Sequence, residues 1–412
     1  MRALVISPRL PPSSCNGDFG IERRLRLFIE ALGQVCEHVS FVYLVPKEVA
    51  GSINFQDYAP EKIWNVPGDS AFAPLAQRSE TFMNHYLAGA ISVNDAPVYF
   101  PYLGQEIVLA IKSALSAAPD IVFVDQLHAM LPLLATRQTK IPMLFDLNDL
   151  LHKVHWRSLI TPPFHIGKLG YAMHIPALFA AEYRAIKAAS VTAVCAEADR
   201  VAAARICPGQ RTVVVSNAVD CPSNPPSLSK DQTLLFLGNY TYEPNVQAAE
   251  RLVHRIWPRI LQACPGARLF IAGGSIGRLP SAKLSIAGVD YLGFVPDLNQ
   301  LYARTRVVCC PLDVGGGTRL KLIEAAAYGR PMVSTRVGAE GLVFRNGVDI
   351  LLRDKDAEFA DACVTLFGDI EHCSQLGAAA RVQMQANYDA RSVRSQIVNL
   401  VRSITANDQG GR

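Results

Sequence analysis

The chain has 412 residues, half of them apolar and 18% charged, with a net charge of +4. At roughly 100–200 residues per domain this length gives two domains or three, each with enough apolar sequence for a core. A mild basic surplus without any Lys/Arg run of five or more excludes a nucleic-acid-binding balance. It suits a small anionic ligand, or transient contact with an anionic membrane surface.

In chain order, Ala3–Ser7 reads as a first strand, too short before Pro8 to be a signal-peptide core. A loop follows, and then Ile21, Leu25, Phe28, Ile29 and Leu32 recur at helical spacing. Val39–Val45 reads as the second strand. Further strands are predicted at Ile121–Val124, Met143–Phe145, Val191–Val194 and Thr212–Val215. The Pro/Ser/Asn-rich stretch Ser216–Gln232 is the interdomain linker.

The alternation restarts at Thr233–Leu237. The helix carrying Val246, Ala249, Leu252, Val253, Ile256 and Ile260 is predicted to bend at Pro258. Strands follow at Leu269–Ala272, Tyr291–Leu292, Val307–Cys310, Met332–Ser334 and Ile350–Leu352, and residues 356–406 read as successive helices. Strands alternating with helices over most of the length predict two doubly wound parallel α/β halves.

No unbroken apolar run of about 18 residues is present, so no transmembrane helix is expected. Ten cysteines without C-x-x-C, among them the adjacent Cys309 and Cys310 in an apolar run, read as buried small hydrophobes in a reducing compartment. No zinc-ligand spacing is visible and no Asp-x-Asp metal motif stands out, so neither a metal nor a cofactor is expected.

Chemistry concentrates after the Val307–Cys310 strand, in Val314-Gly315-Gly316-Gly317-Thr318-Arg319-Leu320-Lys321-Leu322-Ile323-Glu324. Glycines let backbone approach a ligand closely, and Thr318 is expected to cap the helix that opens there. A helix N-terminus with Arg319 and Lys321 beside it is a seat for phosphate. Glu324, one turn on, can accept hydrogen bonds from ribose hydroxyls. The order of residues is not that of a Walker A loop.

The Pro11–Gly20 loop follows the first strand and includes Gly17. It sits where open α/β sheets bind ligands but lacks G-x-G-x-x-G. Gly238-Asn239-Tyr240-Thr241-Tyr242-Glu243-Pro244-Asn245 occupies the equivalent place in the second half. Ala272–Gly277 nearly matches a dinucleotide fingerprint, but Pro280 interrupts any helix, and it reads as a turn. His128 ends one strand; Asp146, Asn148 and Asp149 end the next and are candidates for the acceptor side. Residues 150–181 contain no Asp or Glu but carry Lys153, Arg157, Lys168, four histidines, Trp156, Phe164 and Tyr171. That composition suits an acceptor-binding or membrane-facing patch, or a loop over the core.

The Pro11–Arg24 loop, Val191–Arg200, Val215–Asp220, Gly238–Asn245 and above all Gly315–Gly341 resemble the retaining GT-B glycosyltransferases of family 4 (group 1), found in bacterial polysaccharide assembly. The resemblance implies an N-terminal Rossmann-like acceptor domain (1–228) and a C-terminal Rossmann-like donor domain (229–385). The two would face a central cleft, with a helix (386–412) crossing back onto the first domain. It implies a cytoplasmic, metal-independent hexosyltransferase, peripheral at most at the inner face of the plasma membrane. Such an enzyme moves a sugar, with retention, from a nucleotide diphosphate sugar to a carbohydrate or lipid-linked acceptor in exopolysaccharide or glycolipid assembly.

By the same resemblance Arg319, Lys321 and His128 are catalytic, and Gly17 with the Thr318–Leu320 amides flanks the diphosphate. Phe294 and Val295 lie beside the base, Gly238, Asn239, Gly316 and Gly317 line the donor site, and Glu324 binds the ribose. The family's first glutamate would fall at Gly316, a departure that leaves the donor sugar open. A nucleotide-sugar 2-epimerase of the same architecture and a non-catalytic nucleotide-binding module are the alternatives.

Overall fold

The computed structural model describes residues 1–8, 20–44, 62–65, 105–137, 141–160, 169–315 and 317–409. They form two units, one of residues 1–216 with 394–412 and one of residues 217–393.

The first unit is built on a parallel sheet of β1 (Arg2–Ser7), β2 (His38–Tyr43), β3 (Ile63–Asn65), β4 (Ile121–Asp125), β5 (Met143–Asn148), β6 (Val191–Val194) and β7 (Thr212–Val214). Their order across the sheet is β3-β2-β1-β4-β5-β6-β7. β4 and β5 are buried along their whole length, which explains why they read as continuous apolar runs rather than alternating ones. The helices are α1 (Gly20–Gly33), α2 (Gln105–Leu115), α3 (Gln126–Ala135), α4 (Leu151–Ile160), α5 (Leu169–Ala188) and α6 (Glu197–Ile206). The short strand β3 was not legible in sequence; it adds only three residues to the sheet edge.

The second unit repeats the plan with β8 (Thr233–Leu237), β9 (Arg268–Ala272), β10 (Val289–Gly293), β11 (Val307–Cys310), β12 (Met332–Ser334) and β13 (Leu351–Leu352). The order is β10-β9-β8-β11-β12-β13, all parallel. Its helices are α7 (Glu243–Arg251), α8 (Trp257–Ala263), α9 (Leu298–Ala303), α10 (Leu320–Ala327), α11 (Asp356–Gly368) and α12 (Ile370–Asn387). Between α7 and α8 a π-helical turn spans Leu252–Ile256, so the irregularity expected at Pro258 lies in the turn just before it. Cys309 and Cys310 are fully buried in β11, as their apolar context implied.

Residues 217–228 belong to the second unit. Arg381 donates to the Pro222 carbonyl (2.6 Å), Arg330 to those of Pro226 (2.7 Å) and Ser227 (3.0 Å), and Val219 bridges to Asp389. A Pro-rich stretch with few amide donors is thus held by arginines bonding its free carbonyls. The last helix, Ala390–Gln409, belongs from Arg394 onward to the first unit. There Arg394 pairs with Glu30 (2.5 Å), and Gln396 donates to the Val214 carbonyl (2.7 Å). Among the described residues no helix is long and apolar enough to cross a membrane.

Candidate functional site

Both sheets reverse their strand order once. In the second unit the reversal falls between β8 and β11, the place where open α/β sheets have their ligand-binding crevice, outside the carboxyl ends of the strands. The loop after β8 is Gly238–Tyr242; the loop after β11 runs to Arg319.

Close backbone approach dictates the glycines. The Gly238 amide donates to the Ala272 carbonyl (3.0 Å), Tyr240 to Gly274 (3.0 Å), and Gly273 to Gly293 (2.7 Å), so the loops after β8, β9 and β10 are laced together. A Cβ on Gly273, whose φ is +129°, would lie 1.8 Å from the Gly238 oxygen, a distance no side chain tolerates. Gly315 has φ +128°, and a Cβ there would sit 2.8 Å from Arg319 Nη2 and 2.9 Å from the Tyr242 hydroxyl. The Arg319 guanidinium therefore lies folded across Gly315, next to Tyr242, and Arg319 is 7% exposed.

Helix α10 begins at Leu320, with Arg319 in the N-cap position at φ −82°, ψ 83° and no side-chain cap bond. The expectation that Thr318 caps the helix is corrected: the Leu320 amide donates to the Thr318 carbonyl (3.1 Å), which places Thr318 in a turn before the helix. Gly317, at φ +75°, makes that turn. Along α10, Lys321 and Glu324 are one turn apart and point to one face. Glu324 is buried.

The Lys321 amino group donates to Asn245 Oδ1 (2.9 Å) and sits 4.3 Å from the centre of the Phe236 ring. Asn245 is buried in the first turn of α7, and its Nδ2 donates to the Asn239 carbonyl (2.8 Å). Burial pulls the Lys321 ammonium down to about 8, further lowered by Arg319 and opposed by Cys310, Cys309 and Glu324. Beneath the loop after β11, Arg251 donates to the Pro311 carbonyl (3.2 Å), to Asp313 (2.6 Å) and to Asp356 (2.7 Å). Burial raises the Asp313 carboxyl from its ordinary range, against the pull of Arg251. The loop is therefore fixed from below.

In the first unit the reversal falls between β1 and β4. Ser7 Oγ donates to Asp125 Oδ2 (2.7 Å), both buried. Arg24 of α1 forms a two-pronged pair with Asp146 (2.7 Å on each oxygen) and donates to the Val215 carbonyl (2.6 Å). Burial alone would lower the Arg24 pKa; Asp146 more than offsets this and holds it above its ordinary value. Gln126 and Asn148 both take left-handed φ, +66° and +60°, at the ends of β4 and β5.

The structure brings together Gly238, Asn239, Gly317, Thr318, Arg319, Leu320, Lys321 and Glu324 at the β8/β11 edge. Phe294 and Val295 follow β10, where Phe294 is 59% exposed. His128 lies in the first turn of α3 and is partly buried. Asp146 is 1% exposed and engaged by Arg24, and Asn148 accepts from the Cys195 thiol (3.0 Å), so both side chains are committed inside the unit; Asp149 is partly buried. Gly17 and Gly316 lie outside the described residues.

Sequence reasoning missed the Arg24–Asp146 pair, the Arg251 network and the His152–Glu182 pair. In the last, fully buried Glu182 accepts from both the backbone amide (3.2 Å) and Nδ1 of His152. Each joins residues tens of positions apart, and no local pattern signals that.

Residues 231–369 match the model of the family "Glycosyl transferases group 1". The matched segment lies wholly within the second unit. The chain is 30% identical over 208 residues to the phosphatidyl-myo-inositol mannosyltransferase of Mycobacterium leprae, a match covering 48% of this chain and 54% of the relative. It spans about half the length of the curated relatives it matches.

Sucrose-phosphate synthase from Thermosynechococcus elongatus superposes with a TM-score of 0.72 at 17% identity, covering 98% of this chain and 99% of the other. Anabaena HepE in complex with UDP-glucose gives 0.62 at 15%, covering 98% and 100%. The fold is therefore GT-B: two parallel-sheet α/β domains, the second of them bearing the group 1 domain and its strand-order reversal.

Proposed function

We propose that the protein is a retaining glycosyltransferase that moves a sugar from a nucleotide diphosphate sugar to an acceptor hydroxyl, in polysaccharide or glycolipid assembly. The observation that carries the reading is the β8/β11 crevice of the group 1 domain. The glycine-bearing loops after β8 and β11, two cations and a buried carboxylate meet there at one helix start.

In this reading the diphosphate lies over the start of α10. The new bond forms between the acceptor oxygen and the anomeric carbon. The bond from that carbon to the diphosphate breaks, and its electron pair leaves with the diphosphate. Arg319, Lys321 and the helix N-terminus stabilise the negative charge that develops. Glu324 accepts from the ribose hydroxyls, Gly238, Asn239, Gly317, Thr318 and Leu320 line the diphosphate, and Phe294 and Val295 flank the base. His128 orients the transferred sugar or the acceptor hydroxyl. The departing phosphate takes the acceptor's proton, and no side chain is assigned as base.

The acceptor is a carbohydrate or a lipid-linked carbohydrate, and the protein works at the cytoplasmic face of the membrane. Support for the lipid side is the surface of α4 and α5, where Trp156 and Ile160 are each 54% exposed and Phe179 44%, in a segment without acidic residues from 150 to 181.

A radiolabelled panel of UDP-, GDP-, dTDP- and ADP-sugars, incubated with membrane extract of a capsule-forming bacterium as acceptor source, tests the assignment. Label should pass from one donor to a larger product, with nucleotide release dependent on the extract. Release or isomerisation of the sugar without any extract, at an undiminished rate, would instead make the protein an epimerase. Binding without turnover would make it a binding module. Arg319→Ala and Glu324→Ala should each lower transfer about a hundredfold with the fold intact.

A further inference from the structure

The group 1 domain holds its cation in an unusual way. Lys321 bonds a neutral carboxamide, and that carboxamide belongs to the other wall of the crevice. Asn245 takes the Lys321 ammonium on Oδ1 at 2.9 Å and gives Nδ2 to the Asn239 carbonyl at 2.8 Å. Its own backbone amide bonds the Tyr242 carbonyl (2.9 Å). Gly238 packs so tightly on this side chain that a Cβ there would meet Asn245 Cγ at 3.1 Å. The carboxamide is thus wedged, with both ends used, between the loop after β8 and the first turn of α10. On its far side Lys321 lies over the Phe236 ring.

We propose that Asn245 is a positioning residue that holds Lys321 beneath the diphosphate seat as a proton-responsive cation, so that binding a nucleoside diphosphate draws a proton onto Lys321. This rests on the donor site proposed above. The chemistry follows from the partner. A carboxylate in the place of Asn245 would keep the lysine charged at all ordinary pH and would compete with the diphosphate for it. A carboxamide orients the amine without supplying countercharge, and the arriving anion supplies it instead.

The titratable and charged groups facing Lys321 are Cys309 and Cys310 of β11, with Arg319 and Glu324 from its own loop and helix. Burial and Arg319 disfavour the ammonium; the other three favour it, and the balance leaves the free amine near 8. A bound diphosphate moves the balance upward. The sign is then fixed: affinity is highest below pH 8 and falls as pH rises through the amine's value in the complex, and near pH 8 binding takes up a fraction of a proton.

The experiment is calorimetric titration of UDP, GDP, dTDP and ADP into the full chain at pH 8 in buffers of different ionisation enthalpy, repeated from pH 6.5 to 9.5. Wild type should take up about half a proton at pH 8 with the nucleotide it binds. Lys321→Arg, always charged, should bind with no uptake and a flat pH profile. Asn245→Asp should also lose the uptake at pH 8 and weaken binding about tenfold, because its carboxylate both keeps the amine charged and repels the diphosphate. Thermal unfolding of each variant checks that it is folded.

Uptake that persists in either variant, or is absent from a wild type that binds nucleotide, overturns the proposal while leaving the donor site standing. A wild type that binds none of the four nucleotides overturns the donor site itself.

Discussion

The two sheets share one topology and treat the cation at their strand-order reversals in opposite ways. In the first unit Arg24 is committed to the fold: it grips both oxygens of Asp146, is 2% exposed, and gives a third N–H to the Val215 carbonyl. In the second, Lys321 bonds, among the described residues, a carboxamide and lies over an aromatic face, and Arg319 folds across a glycine beside a tyrosine. A carboxylate fixes the charge of its cation and holds a fold together; a carboxamide orients an amine without supplying that charge. On the proposed reading the same architecture carries a structural ion pair in one unit and an anion seat in the other.

The sharpest way to break this contrast is Arg24→Ala, which strands the buried Asp146 carboxylate. It should cost about 3–5 kcal/mol of stability, read as a lowered denaturant midpoint, while nucleotide affinity of the surviving folded protein stays within twofold. Gly273→Ala comes next. With a φ of +129° and a Cβ 1.8 Å from the Gly238 oxygen, it should lose about 2–4 kcal/mol and weaken nucleotide binding as well, since the clash lies in the cradle.

Ser7→Ala removes a buried hydrogen bond to Asp125 and should cost about 1–2 kcal/mol without touching affinity. Lys321→Met should do the reverse of Arg24→Ala: nucleotide binding falls at least tenfold while Tm rises by about 2–5 °C. That gain has a pH signature. The amine's folded-state value lies near 8 against an ordinary 10.5, so its charge penalises the folded state. The gain is full below pH 8 and disappears as pH rises through the ordinary lysine range. A melting series across that window checks it.

Much of this was legible in the residues. Apolar runs at Ile121–Val124, Thr233–Leu237 and Val307–Cys310 gave strands because both faces are buried, and periodicity gave the helices between them. The Gly315–Glu324 segment announced its chemistry because glycines, cations and a carboxylate on one strand-to-helix turn are a local pattern. Its fine structure was less readable: the cap fell on Arg319 rather than Thr318 because Gly317 adopts a left-handed turn. Lys321–Asn245 and Arg24–Asp146 stayed hidden, being 76 and 122 residues apart in sequence. Spacing cannot reveal a partner that only the crossover of a parallel sheet brings near. Nor could it show that Asp146, which ends β5 as a ligand-binding residue would, is spent on Arg24.

Hydrogen–deuterium exchange with and without saturating UDP tests the central claim most directly, because it reads both edges at once. Slowed exchange in peptides spanning 238–245 and 317–324, with no change across 121–128, is the result this account predicts. Protection confined to the 121–149 region, with the α10 start unaffected at saturation, would contradict it.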